Sequence, residues 1–115
     1  MTAFRLFLAT ILIVIAVYTG IVVSNHGLGL LPIFFGDMAK MAWPGQFNLD
    51  FMFFLALSAL WLAWRHNFSP AGFVLGLLGF FGGTFFLSAY LLIVSFQVNG
   101  DVKALLLGET RVNGR

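Results

Sequence analysis

SPAGFVLGLLGFFGGTFFLSAYLLIVSF, residues 69–96, carries no charged side chain and five glycines, Gly72, Gly76, Gly79, Gly82 and Gly83. An uncharged apolar run of this length exceeds the roughly 20 residues that a helix needs to cross a hydrocarbon core. At about 100° per residue, Gly72, Gly76, Gly79 and Gly83 fall in one narrow arc, so one side of the span is bare backbone. Glycine lowers helix propensity in water. Between spans it lets two backbones approach and pack by dispersion, which must drive association where lipid removes the hydrophobic effect.

The rest of the chain has the same character. Of its 115 residues, 61% are hydrophobic and 9% charged, which places it outside the soluble globular class and makes it an integral membrane protein with one compact domain. Three apolar runs are expected to span, at about residues 5–23, 47–64 and 70–96. The fold class is therefore all-α, with three transmembrane helices and a short interfacial helix between the first and second. The net charge of +2 comes from six basic residues scattered between spans, so no patch for nucleic acid forms. The chain has no cysteine, which excludes thiol chemistry and thiolate metal sites.

The first run is longer than a signal-peptide core, and VVSNHG lacks a small-x-small cleavage pattern, so it reads as an uncleaved span. Tyr18 is placed toward its exit as an interfacial aromatic. After the turn SNHGLG, the segment at about residues 30–43 is too short to cross; it mixes Ile33, Phe34, Phe35, Met38, Met41 and Trp43 with Asp37 and Lys40, which suits a helix in the headgroup layer. WPGQFN reads as a break before the second span. That span carries Ala56, Ala59 and Ala63 on one face and ends in Trp61, Trp64 and RHNFSP, a turn tight enough to make spans two and three antiparallel neighbours. The alanine stripe is expected to meet the glycine stripe. Ser69 and Pro70 supply a cap and a first-turn proline for span three. The tail, residues 98–115, opens with Asn99-Gly100-Asp101 and allows one short helix at residues 102–107.

Candidate functional residues are few. Asp50 is the acidic residue inside a predicted span, and such a residue is by default a site hypothesis. With span two expected to begin near Phe47, Asp50 falls in the first turn, where free N–H groups and the helix dipole favour a carboxylate and interfacial water is in reach; this capping or interface reading is preferred to a proton, cation or headgroup site. His26 and His66 follow spans one and two and so face opposite sides, which removes a two-histidine metal site. His26 shares a predicted face with Asp37, Asp50, Asp101 and Glu109, although such polar residues usually just meet headgroups and water. No nucleophile with a base, paired carboxylates or metal-ligand spacing is present, so no catalytic residue, metal or cofactor is expected, and the chain is read as not an enzyme. The fifteen phenylalanines are read as lipid-facing and packing residues rather than a pigment pocket.

HGLGLLPIFF after the first span, NLDF at the start of the second, SALWLAWRH at its end and the glycine-rich third span together resemble a family of small three-span bacterial inner-membrane proteins of unknown function. The resemblance covers about residues 24–90. It implies a bacterial inner membrane and transfers no catalytic or binding residue. For orientation, Arg5, Arg65 and the terminal amine abut spans on the amino-terminal side, while Lys40, Lys103, Arg111 and Arg115 are expected on the other. The count favours the second side as cytoplasmic and the density beside the spans favours the first. Density is given more weight because half of the second set lies in the tail, which puts the amino terminus inside and the carboxyl terminus outside. The leading functional expectation is a non-enzymatic accessory or assembly component that packs in the bilayer with itself or a larger complex; the alternative is an oligomeric minimal transporter or proton/cation-coupled channel subunit using Asp50.

Overall fold

A computed structural model describes residues 1–113 of the chain. Those residues form α1 (Thr2–His26), α2 (Leu30–Ala39), α3 (Trp43–Arg65), α4 (Pro70–Gln97), α5 (Val102–Leu107) and α6 (Glu109–Asn113), with no strand among them. Three of the helices, α1, α3 and α4, are long and apolar enough to cross a membrane, and α2 is the shorter apolar helix between the first two. This is the fold class expected. The 50 Å long axis is close to the thickness of a bilayer with its headgroups.

Helix boundaries shift where the turn signals were misread. SNH does not end α1, which continues to His26; Gly27, at φ 74°, stops it and donates its N–H to the Val23 carbonyl. WPGQ is not a break. Ala42 is the extended N-cap residue of α3 and Pro44 sits in the first turn, where a missing N–H costs nothing, so the helix starts four residues earlier than the expected Phe47. α2 ends at Ala39 rather than Trp43, and Met41 turns the chain at φ 55°. It packs on the first turns of α3: Asn48 Nδ2 donates to the Phe34 carbonyl at 3.0 Å, and a Cβ on Gly45 would come within 2.7 Å of the Met38 Cα.

The largest departure is inside α4. Ser69 caps it as predicted, its Oγ accepting from the Gly72 N–H at 3.1 Å. The helical path then breaks at Gly83, at φ 56° and ψ −140°, a conformation that a side chain disfavours. The first limb, residues 70–82, runs antiparallel to α3. Gly72 meets Ala63 and His66, Gly76 meets Ala59, Gly79 meets Leu62, and Gly83 lies against Phe51 and Leu55. The second limb, residues 84–97, comes back. In a straight helix Tyr90 would stand about 27 Å from Gly72. Instead both touch His66, with the Tyr90 hydroxyl 2.6 Å from Nε2 and a Gly72 Cβ position 2.9 Å from the His66 Cβ. The glycine stripe thus both packs α4 on α3 and supplies its hinge.

This reversal corrects the expected topology. Ser95 near the end of α4 accepts from Arg5 near the start of α1, and Gly100 lies against Met1. The amino terminus, Arg5, Arg65, α5 and α6 share one end of the molecule; the Gly27 turn, α2 and the start of α3 make up the other. The carboxyl-terminal segment is therefore not across the membrane from the amino terminus as expected, and Arg115, used in that count, lies outside the described residues. The hydrophobic core sits at the shared end, where Leu62, Tyr90, Val94, Val98, Ala104 and Leu105 are buried, with Phe4, Trp61 and Phe86 packed around them.

Candidate functional site

The last turn of α3, Trp61 to Arg65, projects polar groups into that core. Arg65 is buried, with 8% of its surface exposed. A buried guanidinium has to place its donors, and here Nε, Nη1 and Nη2 each reach a neutral acceptor: Nε the Leu105 carbonyl at 2.7 Å, Nη2 the Ala104 carbonyl at 3.0 Å, and Nη1 the Tyr90 hydroxyl at 3.0 Å. The Trp61 indole donates to the Leu106 carbonyl at 3.1 Å. The last carbonyls of a helix have no partner within it. Arg65 and Trp61 satisfy them for α5 and place a positive charge at its negative end. At the other end of α5, Asp101 Oδ1 accepts from Lys103 N and Ala104 N at 3.1 and 3.5 Å. Arg111 from α6 reaches back to the Arg65 carbonyl at 3.4 Å and lies over the Trp64 ring at 3.9 Å. The carboxyl-terminal segment is thus latched to α3.

Tyr90 joins the latch to the returning limb of α4. Its hydroxyl accepts from Arg65 and shares a hydrogen bond with His66 Nε2, in which the hydroxyl is the donor when neutral His66 carries its proton on Nδ1. His66, in the turn after α3, has its pKa lowered below 6.5, first by partial burial and then by the Arg65 charge beside it. Arg5 holds the end of the same limb, Nε to Ser95 Oγ at 3.0 Å and Nη2 to the Ser95 carbonyl at 2.9 Å, with its guanidinium 3.9 Å over the Phe96 ring. Beside the latch lies a cleft of about 280 Å³, lined by Arg65, His66, Asn67, Gln97, Val98, Gly108, Glu109 and Thr110. Within the latch itself the polar groups bond one another, the Tyr90 hydroxyl and the His66 imidazole forming its one hydroxyl–imidazole pair among the described residues.

The residues singled out from the sequence lie elsewhere. Asp50 is not in a first turn: with α3 beginning at Trp43 it stands about two turns, ~10 Å, inside the helix. It is exposed on the outside of the chain. At about 100° per residue it lies some 150° around α3 from the side that meets the glycines. The capping reading is therefore corrected. A carboxylate facing hydrocarbon costs about 3 kcal/mol at a helix centre on insertion scales and less toward the helix ends, so at two turns' depth a partner or water would lower the cost. His26 is exposed at the end of α1. Asp101 and Glu109 lie with Arg65 at the opposite end, so His26 and the four acidic residues form no cluster, in keeping with the preferred reading of them as separate polar groups. Among the described residues no group of three His, Cys, Asp or Glu side chains is placed to hold a metal ion.

Gly72, Gly76, Gly79 and Gly83 are all buried, and Ala59 and Ala63 lie against them. Ala56 is exposed and outside this contact; Leu55 and Phe51 take the place assigned to it. Sequence reasoning missed Arg65, Tyr90 and Trp61 as a unit. The available signal was the arginine in WLAWRH together with Tyr90, a hydroxyl in the middle of an otherwise uncharged run. Comparison with protein-family models, with curated proteins and with solved structures finds no match.

Proposed function

We propose that the chain is a non-enzymatic multi-pass protein of the bacterial inner membrane, working by helix packing as an accessory or assembly component, with both termini in the cytoplasm. The observation that carries this reading is the outward face of α3. Phe54 and Leu57 keep 63% and 67% of their surface exposed there, with Asp50 among them, while the buried core is confined to one end. A face of large apolar residues around an unpaired carboxylate suits protein partners better than lipid alone. The inner membrane follows from the resemblance of HGLGLLPIFF, NLDF and SALWLAWRH to the small three-span family. Orientation follows from charge: Arg5, Arg65, Lys103 and Arg111 belong to the end with the amino terminus, against Lys40 at the other, and an excess of Lys and Arg marks the cytoplasmic side. Affinity purification from mild detergent, followed by mass spectrometry, tests the function. A stoichiometric membrane partner or a defined homo-oligomer is expected, and a monodisperse monomer free of protein partners would refute it.

A second reading, an oligomeric minimal transporter or proton/cation-coupled channel subunit, gains from the seat of Asp50 two turns inside α3. A transport site would lose all activity as Asp50→Asn, since an amide carries neither the proton nor the charge. Packing would survive it. A growth or flux assay in which Asp50→Asn matches a full deletion at normal protein level would put this reading first.

A further inference from the structure

Three features of the chain share one depth. Phe51, next to Asp50, lies against Gly83 at the hairpin tip, and Thr84 follows that tip. A groove of about 500 Å³ runs there between α1 and α4, lined by Thr10, Ile11, Val14, Ile15, Tyr18 and Thr84. Counted at 1.5 Å per residue from Arg5 and Arg65, Tyr18 and Asp50 lie about 20 and 22 Å from the basic end, within one helical turn of each other. α1 continues to His26, so Tyr18 is about 12 Å short of its end.

The donors and acceptors are complementary. Thr10 spends its hydroxyl on the Leu6 carbonyl of its own helix at 2.8 Å. Tyr18, with 67% of its surface exposed, and Thr84, also exposed, have no such bond among the described residues. Asp50 offers only acceptors when ionised. It stands on the far side of α3, so it cannot reach these hydroxyls within one chain. Lipid tails supply no donor at this depth.

We propose that a second copy of the chain covers the outward face of α3, receiving Asp50 between Tyr18 and Thr84 in its α1–α4 groove. The contact joins a face on one copy to a different surface on the next. It is therefore heterologous, and with all copies in one membrane orientation it forms a ring where the rotation between copies closes and an open array where it does not. It deepens the packing reading above and rests on the chain spanning a bilayer.

The absence of cysteine makes cross-linking clean. Leu57→Cys marks the Asp50 face about two turns away, and Val14→Cys marks the groove at matching depth. Differently tagged single-cysteine forms are co-expressed, and the membranes are washed with carbonate and oxidised. The expected result is a disulfide between Leu57→Cys and Val14→Cys chains and none between like chains. Adding Tyr18→Phe with Thr84→Val should lower its yield roughly three- to tenfold, the range for interhelical hydrogen bonds in a membrane. Cross-linking of Leu57→Cys to itself would overturn the proposal in favour of a back-to-back dimer, and carbonate-resistant protein without any cross-link would overturn it outright. Loss of the protein from the washed pellet would refute the spanning reading and this contact with it.

Discussion

Tyr90 places its hydroxyl 2.6 Å from His66 Nε2, although a straight α4 would carry it a whole limb away. That pairing is the signature of the reversal at Gly83. It makes two clusters near the basic end, Arg65 with Tyr90 and Arg5 with Ser95, the fasteners of a helical hairpin that enters and leaves by the same end.

Replacing Arg65 by alanine should release the carboxyl-terminal segment. Tyr90 would lose a charged donor and the Ala104 and Leu105 carbonyls their capping group, a loss of roughly 4 to 5 kcal/mol for three charge-assisted bonds at the low end of their range. Trypsin should then cut at Lys103 and Arg111 much faster while α1 and α3 stay protected. Arg65→Lys should recover little, because an ammonium cannot reproduce the fork. Unchanged cleavage in Arg65→Ala would mean that the latch is weak.

The glycines should not respond alike. A Cβ at Gly76 would stand 3.0 Å from the Ala59 carbonyl oxygen, backbone that has nowhere to go, whereas one at Gly79 would meet the movable end of Leu62. Gly76→Ala should therefore lower thermal stability in detergent more than Gly79→Ala, and the Gly76→Leu, Gly79→Leu double variant should lower it most, by separating α3 from α4 along the whole face. Gly20→Ala, with open space around it, serves as a control and should be neutral or slightly stabilising. Equal melting for all of these variants would remove the packing role.

His66 gives the latch a pH dependence. Its folded pKa is lowered, so between that value and 6.5 the unfolded state binds more protons than the folded one. The stabilisation is complete above pH 6.5 and fades as pH falls through the window below it. Proteolysis of the carboxyl-terminal segment should accelerate from pH 7.5 to pH 5.5, and His66→Asn should flatten that dependence. A slope that survives the substitution would assign it to another group.

Asp50 should be silent in the isolated chain. It caps nothing in α3 and is exposed, so Asp50→Leu in monomeric, detergent-solubilised protein should change stability by no more than about 0.5 kcal/mol. A first-turn cap would lose about 1 kcal/mol by the same change. Destabilisation of that size would restore the capping role.

The elements were legible because hydropathy and capping chemistry are local. Ser69-Pro70 marks the start of α4, Asn99-Gly100-Asp101 precedes α5, and the uncharged runs identify the three long helices. What was hidden depends on contacts distant in sequence. Gly83 was read with its neighbours as part of a packing stripe, since a hinge glycine and a packing glycine look alike until the path of the chain after them is known. Pro44 appeared as a breaker for a similar reason: a proline in the first turn and a proline in a loop have the same flanks, and that ambiguity moved Asp50 into a first turn it does not occupy. Arg65 looked like a topological charge because its acceptors are backbone carbonyls forty positions away, which no side-chain pattern announces.

The reversal at Gly83, together with the proposed placing of both ends of the chain in the cytoplasm, is tested most directly by topology. Reporters are fused after the last residue and, separately, before Met1, in otherwise native protein: a fluorescent protein that matures only in the cytoplasm and an alkaline phosphatase active only outside. The expected result is fluorescence and dead phosphatase at both ends. A carboxyl-terminal phosphatase that is active while the amino-terminal one is dead would mean that α4 crosses straight through, and would contradict the hairpin.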